Sequence, residues 1–361
     1  MEIEERASHG DGHAQLALAL RHESEGRHEM ARGWFARAAQ TGQPDARRRL
    51  AENLMVQPPI RPREGAEMML SAAMGGDAKA SFICAAIAGQ ASNEPARWHQ
   101  ALDFLAQAKR QGSAEAALAL ALLAGSHPQE APWDGVVRCM DAARDAALAA
   151  SHTRFETPRI GTCEKFASPA ECDWLMARAA ARLTDAELYD PASDGGFRND
   201  ALRNNRDAGF NMVQSDLVLV QLQARIAALM ALDVQEMEPT MVLHYAPGQY
   251  FAPHCDGLDP SFAPQAREIA RNGQRVATLL IYLNDDYQSG DTDFPELGWR
   301  FKGARGDALW FWNVDGAGSL DPRTRHAGLA PSGGEKWLLS QWIRRRAGPQ
   351  QSAYAAQWTS R

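Results

Sequence analysis

The stretch Leu243–Asp256, LHYAPGQYFAPHCD, and its later counterpart His326–Trp342, HAGLAPSGGEKWLLSQW, decide how this chain is read. Residues two apart on a strand point to the same face. His254 and Asp256 can therefore face one interior point while Cys255 faces away. A distant imidazole, His326, can complete a three-ligand set on one side of a metal ion. Two imidazoles and one carboxylate, with the opposite positions open, suit a non-haem Fe(II) that must also take a co-substrate and oxygen. The triplet His-x-Asp is weak by itself. His9-Gly10-Asp11 also fits it, in a polar N-terminus, and is read as coincidence. Context has to carry the reading.

Outward from that stretch the chain alternates short apolar runs with turns. Pro239–Tyr245 reads as a strand ending at Ala246-Pro247-Gly248, and Phe251–Asp256 as the strand bearing the first two ligands. Arg275–Leu283, RVATLLIYL, is β-rich and apolar enough for a buried central strand. Gly306–Trp312 and Lys336–Ile343 are two more. Many short strands with Gly-rich turns indicate a double-sheet jelly roll with an interior open at one end. Ahead of them, Arg159–Phe166 reads as a short strand, and Ser168-Pro169-Ala170-Glu171 as a capping box that opens a helix. Ser215–Leu232 has helical apolar spacing. Asp190–Asn205 is a long polar loop, read equally as a cover for the site or as a surface loop. Arg344-Arg345-Arg346 reads as a solvated strand end.

The N-terminal part follows another rhythm. A Gly-x-x-x-Ala pattern recurs at Gly10/Ala14, Gly42/Ala46, Gly76/Ala80 and Gly112/Ala116, with the glycines 32, 34 and 36 residues apart. A Gly just past one helix supplies its left-handed C-cap. The Ala four residues on allows close helix packing. A period in the thirties with two helices per unit is the mark of a helical solenoid. The run Met55–Arg63, with three prolines, is expected to break this rhythm, and Pro132–Ala150 to add one closing helix.

Composition sets outer bounds. The 361 residues suffice for two domains with full cores, and 45% hydrophobic with 23% charged residues is ordinary for a globular protein. A net charge of -7 argues against a general nucleic-acid or acidic-membrane binder. The start is polar, with no apolar segment of a signal peptide, and Ala114–Ala124 is too short to span a bilayer. Five scattered cysteines without a C-x-x-C pair suggest buried thiols in a reducing, cytoplasmic setting.

Two resemblances follow from these residues. The repeats are similar to Sel1-like repeats, relatives of the tetratricopeptide family, over about residues 8–150. From Arg159 to Arg345 the chain closely resembles Fe(II)- and 2-oxoglutarate-dependent oxygenases of the prolyl 4-hydroxylase type. The segments that carry this are FASPAECDWL, EPTMVLHYAPGQYFAPHCD, RVATLLIYLNDDYQSGDTDFPELG, GDALWFWN and HAGLAPSGGEKWLLSQWI. The expected architecture is a multidomain α and β chain. A helical solenoid over 1–150 precedes a double-stranded β-helix (jelly-roll) oxygenase domain with flanking helices over 155–345, and a mobile tail takes 346–361.

The resemblance implies that His254, Asp256 and His326 hold Fe(II), and that Lys336 pairs with the far carboxylate of 2-oxoglutarate. Tyr245 matches the tyrosine that hydrogen-bonds this co-substrate, and Thr278 is a weaker candidate for the same carboxylate. Tyr250 and Trp342 are read as lining the substrate side, or equally as core aromatics. Asp285, Asp286, Thr292 and Phe294 are given no chemistry. Asp256 favours hydroxylation, because related halogenases lack this carboxylate. The implied reaction consumes O2 and 2-oxoglutarate, with L-ascorbate as supporting reductant. The leading substrate is a peptidyl or protein side chain, with no nucleic-acid or membrane partner, and the repeats are read either as docking it or as an appendage that only packs against the second domain. A small-molecule hydroxylase and a repeat scaffold with an inert oxygenase domain are the competing readings.

Overall fold

The computed structural model describes residues 3–90, 95–125, 127–189, 197–198 and 202–345. The expected tail, 346–361, and most of the loop expected over Asp190–Asn205 lie outside the described residues. The chain divides into two compact units. Within the described residues, one holds the chain up to Met140 together with Asn211–Gln221, and the other holds Asp141–Phe210 and the chain from Leu222. Ser151–Glu156 is a strand, hairpin-paired with Arg159–Cys163. Asn211–Gln221 counts with the helical unit because Met212 and Val213 pack on its buried cluster of Met55, Met69, Ile83 and Ile87.

The first unit is an array of short helices: Ile3–Ser8, Gly12–Ser24, His28–Gln40, Pro44–Val56, Pro62–Met74, Ala78–Gln90, Pro95–Arg110 and Ala114–Ala124, with Asp134–Ala149 following. Consecutive helices pack as neighbours. The repeated glycines explain the turns. Gly10, Gly42, Gly76 and Gly112 all have φ between 89° and 100°, a region that an L side chain adopts only with strain. The residue after three of them donates its N–H five residues back: Asp11 to Arg6, Asp77 to Ala72 and Ser113 to Ala108. The same three side chains then cap the next helix, accepting from Ala14, Ala80 and Ala116. Two adjacent residues therefore end one helix and start the next. Ala14, Ala46, Ala80 and Ala116 are all buried, as the pattern requires. The Met55–Arg63 run does not break the rhythm. Pro62 takes the first turn of its helix, and the helices on either side pack together.

Among the described residues the second unit is built on two large antiparallel sheets, with two small two-stranded ones beside them. The larger runs Ser151–Glu156, Arg159–Cys163, Ala308–Trp312, Arg275–Tyr282, Lys336–Arg344, Thr240–Tyr245, Arg206–Phe210 and Thr184–Asp185. The smaller runs Trp299–Phe301, Thr292–Phe294, His326–Gly328 and Phe251–His254. Buried Ile160, Leu280, Leu309 and Phe311 of the large sheet share one cluster with Phe294 of the small sheet, the packing of a double-sheet jelly roll. Phe294 meets Phe311 edge-on at 5.3 Å. The capping box at Ser168 and Glu171 is formed, and it opens the helix Pro169–Ala180.

One prediction arises here. Gly306 has φ +90°, and a Cβ on it would lie 2.2 Å from the Ala167 carbonyl oxygen. Its own carbonyl accepts from Ala167 and its N–H donates to Tyr282, so the backbone cannot move away freely. Gly306→Ala is expected to cost about 2–4 kcal/mol, read as a lowered urea midpoint.

Arg344 corrects the sequence reading. It is 7% exposed, because Glu238 and Glu268 accept from its guanidinium at 2.7 and 2.9 Å. Arginine so paired is buried rather than solvated.

Candidate metal centre

Cross-strand pairing brings the two imidazoles together. His326 opens its strand directly opposite His254, which ends its own, and the ring centroids lie 4.4 Å apart. Asp256 follows two residues after His254. Its Oδ1 is 3.5 Å from His254 Nε2 and its Oδ2 is 3.7 Å from His326 Nε2. One ligand atom from each of the three lies within 4.8 Å of the others.

Backbone carbonyls fix which ring nitrogens are available. His254 Nδ1 lies 2.9 Å from the Ala252 carbonyl and His326 Nδ1 lies 3.0 Å from that of Thr324. A carbonyl only accepts, so each Nδ1 carries the proton and each Nε2 keeps its lone pair for a metal. Burial pushes the His326 imidazole down to about 4, so it is neutral at pH 7. Burial also works against the charge on Asp256. The two imidazoles and the Thr278 hydroxyl outweigh it and hold the carboxyl below the usual carboxylate range. Two imidazoles and one ionised carboxylate, converging on one point, fit a divalent first-row metal that keeps open positions.

These three side chains border an open cleft between the two sheets. Its floor is one face of the large sheet. Lys336, Leu338, Ser340 and Trp342, each two residues from the next, all line it. At 3.3 Å rise per residue, Lys336 and Trp342 lie roughly 20 Å apart along that strand.

The Lys336 end is buried and polar. Lys336 is 0% exposed and its Nζ donates to the Gly290 carbonyl at 2.7 Å. Among the described residues it makes no ion pair. Burial therefore lowers its pKa to about 7. The Tyr245 and Tyr282 rings lie 5.3 and 5.5 Å from Nζ. Tyr245, beside Lys336 in the strand register, is buried, and burial pushes its phenol up to about 12.

Two of the expected residues are placed elsewhere. Thr278 is buried and shares the inward face, but it pairs in register with Trp342, at the far end from Lys336. Its hydroxyl donates to Asp256 and it does not line the cleft. Tyr250 is 38% exposed and is also absent from the lining. Trp342 does line it, with the Arg275 guanidinium 3.8 Å from its ring centroid.

Other lining residues had been given no role. Thr292 is buried on the cleft wall with its Oγ1 2.7 Å from Tyr282 Oη, two residues from the carbonyl that holds Lys336. The Thr292 hydroxyl is thus the threonine near the buried ammonium. Arg203, 7% exposed, lies 4.6 Å from the Phe251 ring centroid, and Phe251 stacks on His254 at 3.6 Å. Its guanidinium donates to Asp207 at 2.9 Å and to Asn205 at 3.0 Å. Only a polar run was visible there in the sequence, with no spacing signal to single out Arg203.

The profile of the 2OG-Fe(II) oxygenase superfamily matches residues 240–344. The chain is 33% identical over 205 residues to prolyl 4-hydroxylase 1 of Arabidopsis thaliana, covering 53% of this chain and 70% of that protein. Among solved structures it is similar to a viral collagen prolyl hydroxylase from Paramecium bursaria Chlorella virus-1 in its 2OG complex. That match has 28% identity and a TM-score of 0.39, over 51% of this chain and 95% of that one. It is also similar to a Sel1 repeat protein from Oxalobacter formigenes, at 18% identity and a TM-score of 0.32, over 41% of this chain and 67% of that one.

Proposed function

The chain belongs to the 2OG-Fe(II) oxygenase superfamily, with prolyl 4-hydroxylases as relatives, and from that premise we propose that it hydroxylates a C–H bond of a peptide or protein side chain, proline first. The observation that carries this is the convergence of His254, Asp256 and His326 ligand atoms within 4.8 Å at the edge of a cleft. These three residues would hold Fe(II). When bound, the metal supplies oxygen activation coupled to the conversion of 2-oxoglutarate to succinate and CO2, with one oxygen atom left on the substrate.

The protein's own part is binding and orientation. The Lys336 ammonium, buried and in no ion pair among the described residues, receives the far carboxylate of 2-oxoglutarate as a close counter-charge. Tyr245 lines the cleft on that side and offers its hydroxyl to the same group, with Thr292 beside it. Trp342, at the other end of the strand row, borders the substrate. The Nδ1 hydrogen bonds keep both imidazoles in the tautomer that can bind a metal. Ascorbate is the reductant we assign to keep the metal ferrous. A reducing, cytoplasmic compartment suits the five free thiols.

The test is direct. The full chain, given Fe(II), 2-oxoglutarate, oxygen and a proline-rich peptide, is expected to release succinate in step with a peptide heavier by one oxygen atom. Succinate without peptide modification, but with a modified free amino acid, would point to the small-molecule reading instead. We further propose that the helical array recruits a protein substrate. Met30, Met74 and Leu118 are more than half exposed. Changing them together to Glu is expected to raise KM for a protein substrate about tenfold and leave KM for a short peptide unchanged. Equal KM values for both substrates would remove the docking role.

A further inference from the structure

The acid of the metal set is held from behind by two residues that do not line the cleft. Thr278 Oγ1 donates to Asp256 Oδ2 at 2.7 Å and accepts from Asn313 Nδ2 at 3.0 Å. Thr278 and Asn313 are both 0% exposed. The direction of this chain of hydrogen bonds is forced. An ionised carboxylate only accepts, so the single hydroxyl proton of Thr278 goes to it. The contact with Asn313 must then be one in which Thr278 accepts, and the amide NH2 supplies that donor.

Asn313 is itself fixed. Its N–H donates to the Val276 carbonyl at 2.8 Å and its carbonyl accepts from Asp321 at 2.9 Å. The residue after Asp256 is Gly257, where a Cβ would lie 3.2 Å from Asn313 Cβ and 2.5 Å from Leu320 Cδ1. The backbone bearing Asp256 is therefore seated against the residue that anchors its hydroxyl clamp.

We propose that Thr278 and Asn313 are positioning residues whose donor relay holds Oδ2 of Asp256 and keeps the carboxylate turned toward the point where His254 and His326 converge. This rests on the metal-centre reading above. A carboxylate free to rotate must be ordered when the metal binds, and one already held in place need not be. Groups that orient a ligand in this way commonly change metal affinity by about 10–100-fold when removed.

The experiment is Mn(II) titration of the metal-free full chain by calorimetry, with no 2-oxoglutarate present. Thr278→Val keeps the shape and removes the hydroxyl. It is expected to weaken Mn(II) binding about 10–100-fold, while Thr278→Ser stays close to the parent. Asn313→Leu is expected to fall between them. 2-Oxoglutarate is expected to bind more weakly to the Mn(II)-loaded Val variant as well, an effect that a merely structural role would not give. A folded Val variant that binds Mn(II) like the parent overturns the relay. If the Val variant does not fold, Ser and Leu decide it. Tight binding by Ser with weak binding by Leu supports the proposal, and parent-like binding by both overturns it. A parent chain that takes no Mn(II), or Asp256→Ala that binds as tightly as the parent, would overturn the metal-centre reading itself and the relay with it.

Discussion

Asp256→Ala is expected to lower turnover by about a thousandfold or more, because a metal at such a site contributes several kcal/mol to the transition state. The change removes the only carboxylate of the set. It leaves two imidazoles, each still hydrogen-bonded through Nδ1 to a backbone carbonyl. Two nitrogens on one side hold a first-row metal far less firmly than three donors do, so metal binding and turnover should be lost together. The fold should persist, since Asp256 pairs only within the site. The measurements are succinate release, Mn(II) affinity and far-ultraviolet circular dichroism. Retained turnover in a metal-loaded variant would show that the chemistry runs elsewhere.

Lys336→Met is expected to raise KM for 2-oxoglutarate about 30- to 1,000-fold, the effect of removing one partner of a buried charge pair. The same change should stabilise the ligand-free protein, because it removes an ammonium that burial disfavours. The pH dependence fixes the sign. The folded pKa is lowered from 10.5 to about 7. Below pH 7 both states hold the proton and the cost of burying the charge is fully present. Between about pH 7 and 10.5 the unfolded chain holds a proton that the folded chain has released, so stability rises with pH through that window. The gain should be on the order of a few kcal/mol, and Lys336→Met should lack it. Denaturant midpoints of the two proteins at pH 6.5 and 9.5 test this: the gap between them should narrow as pH rises. 2-Oxoglutarate should also bind more weakly above pH 7, since its counter-charge must first be protonated.

His254 and Asp256 were legible together because strand alternation is a local fact, whereas His326 and Lys336, far along the chain, were read from the resemblance carried by HAGLAPSGGEKWLLSQWI. His254 and Asp256 are two residues apart, and His326 stands opposite His254. The helical array was legible for a similar reason: one left-handed glycine with a capping residue behind it recurs at a near-constant interval. The threonines were not separable from the sequence. Thr278 and Thr292 are both inward and buried, and only register shows that Thr278 lies beside Trp342 while Thr292 lies near Lys336. Arg203 escaped notice because its stacking on Phe251 joins residues 48 positions apart, and no local pattern encodes that contact. Arg344 was misread because three consecutive arginines suggest solvent, whereas distant Glu238 and Glu268 converge on it.

The strand Lys336–Arg344 carries the residues proposed to meet co-substrate and substrate on alternate positions of a single run. Losing or gaining one residue in its middle would turn one end of that row outward while leaving the other in place. Changes that preserve both ends must therefore come in pairs of residues, and each pair would lengthen or shorten the reach between the two binding partners by about 7 Å. The spacing of this enzyme's two ligands is thus quantised by backbone geometry and cannot drift gradually.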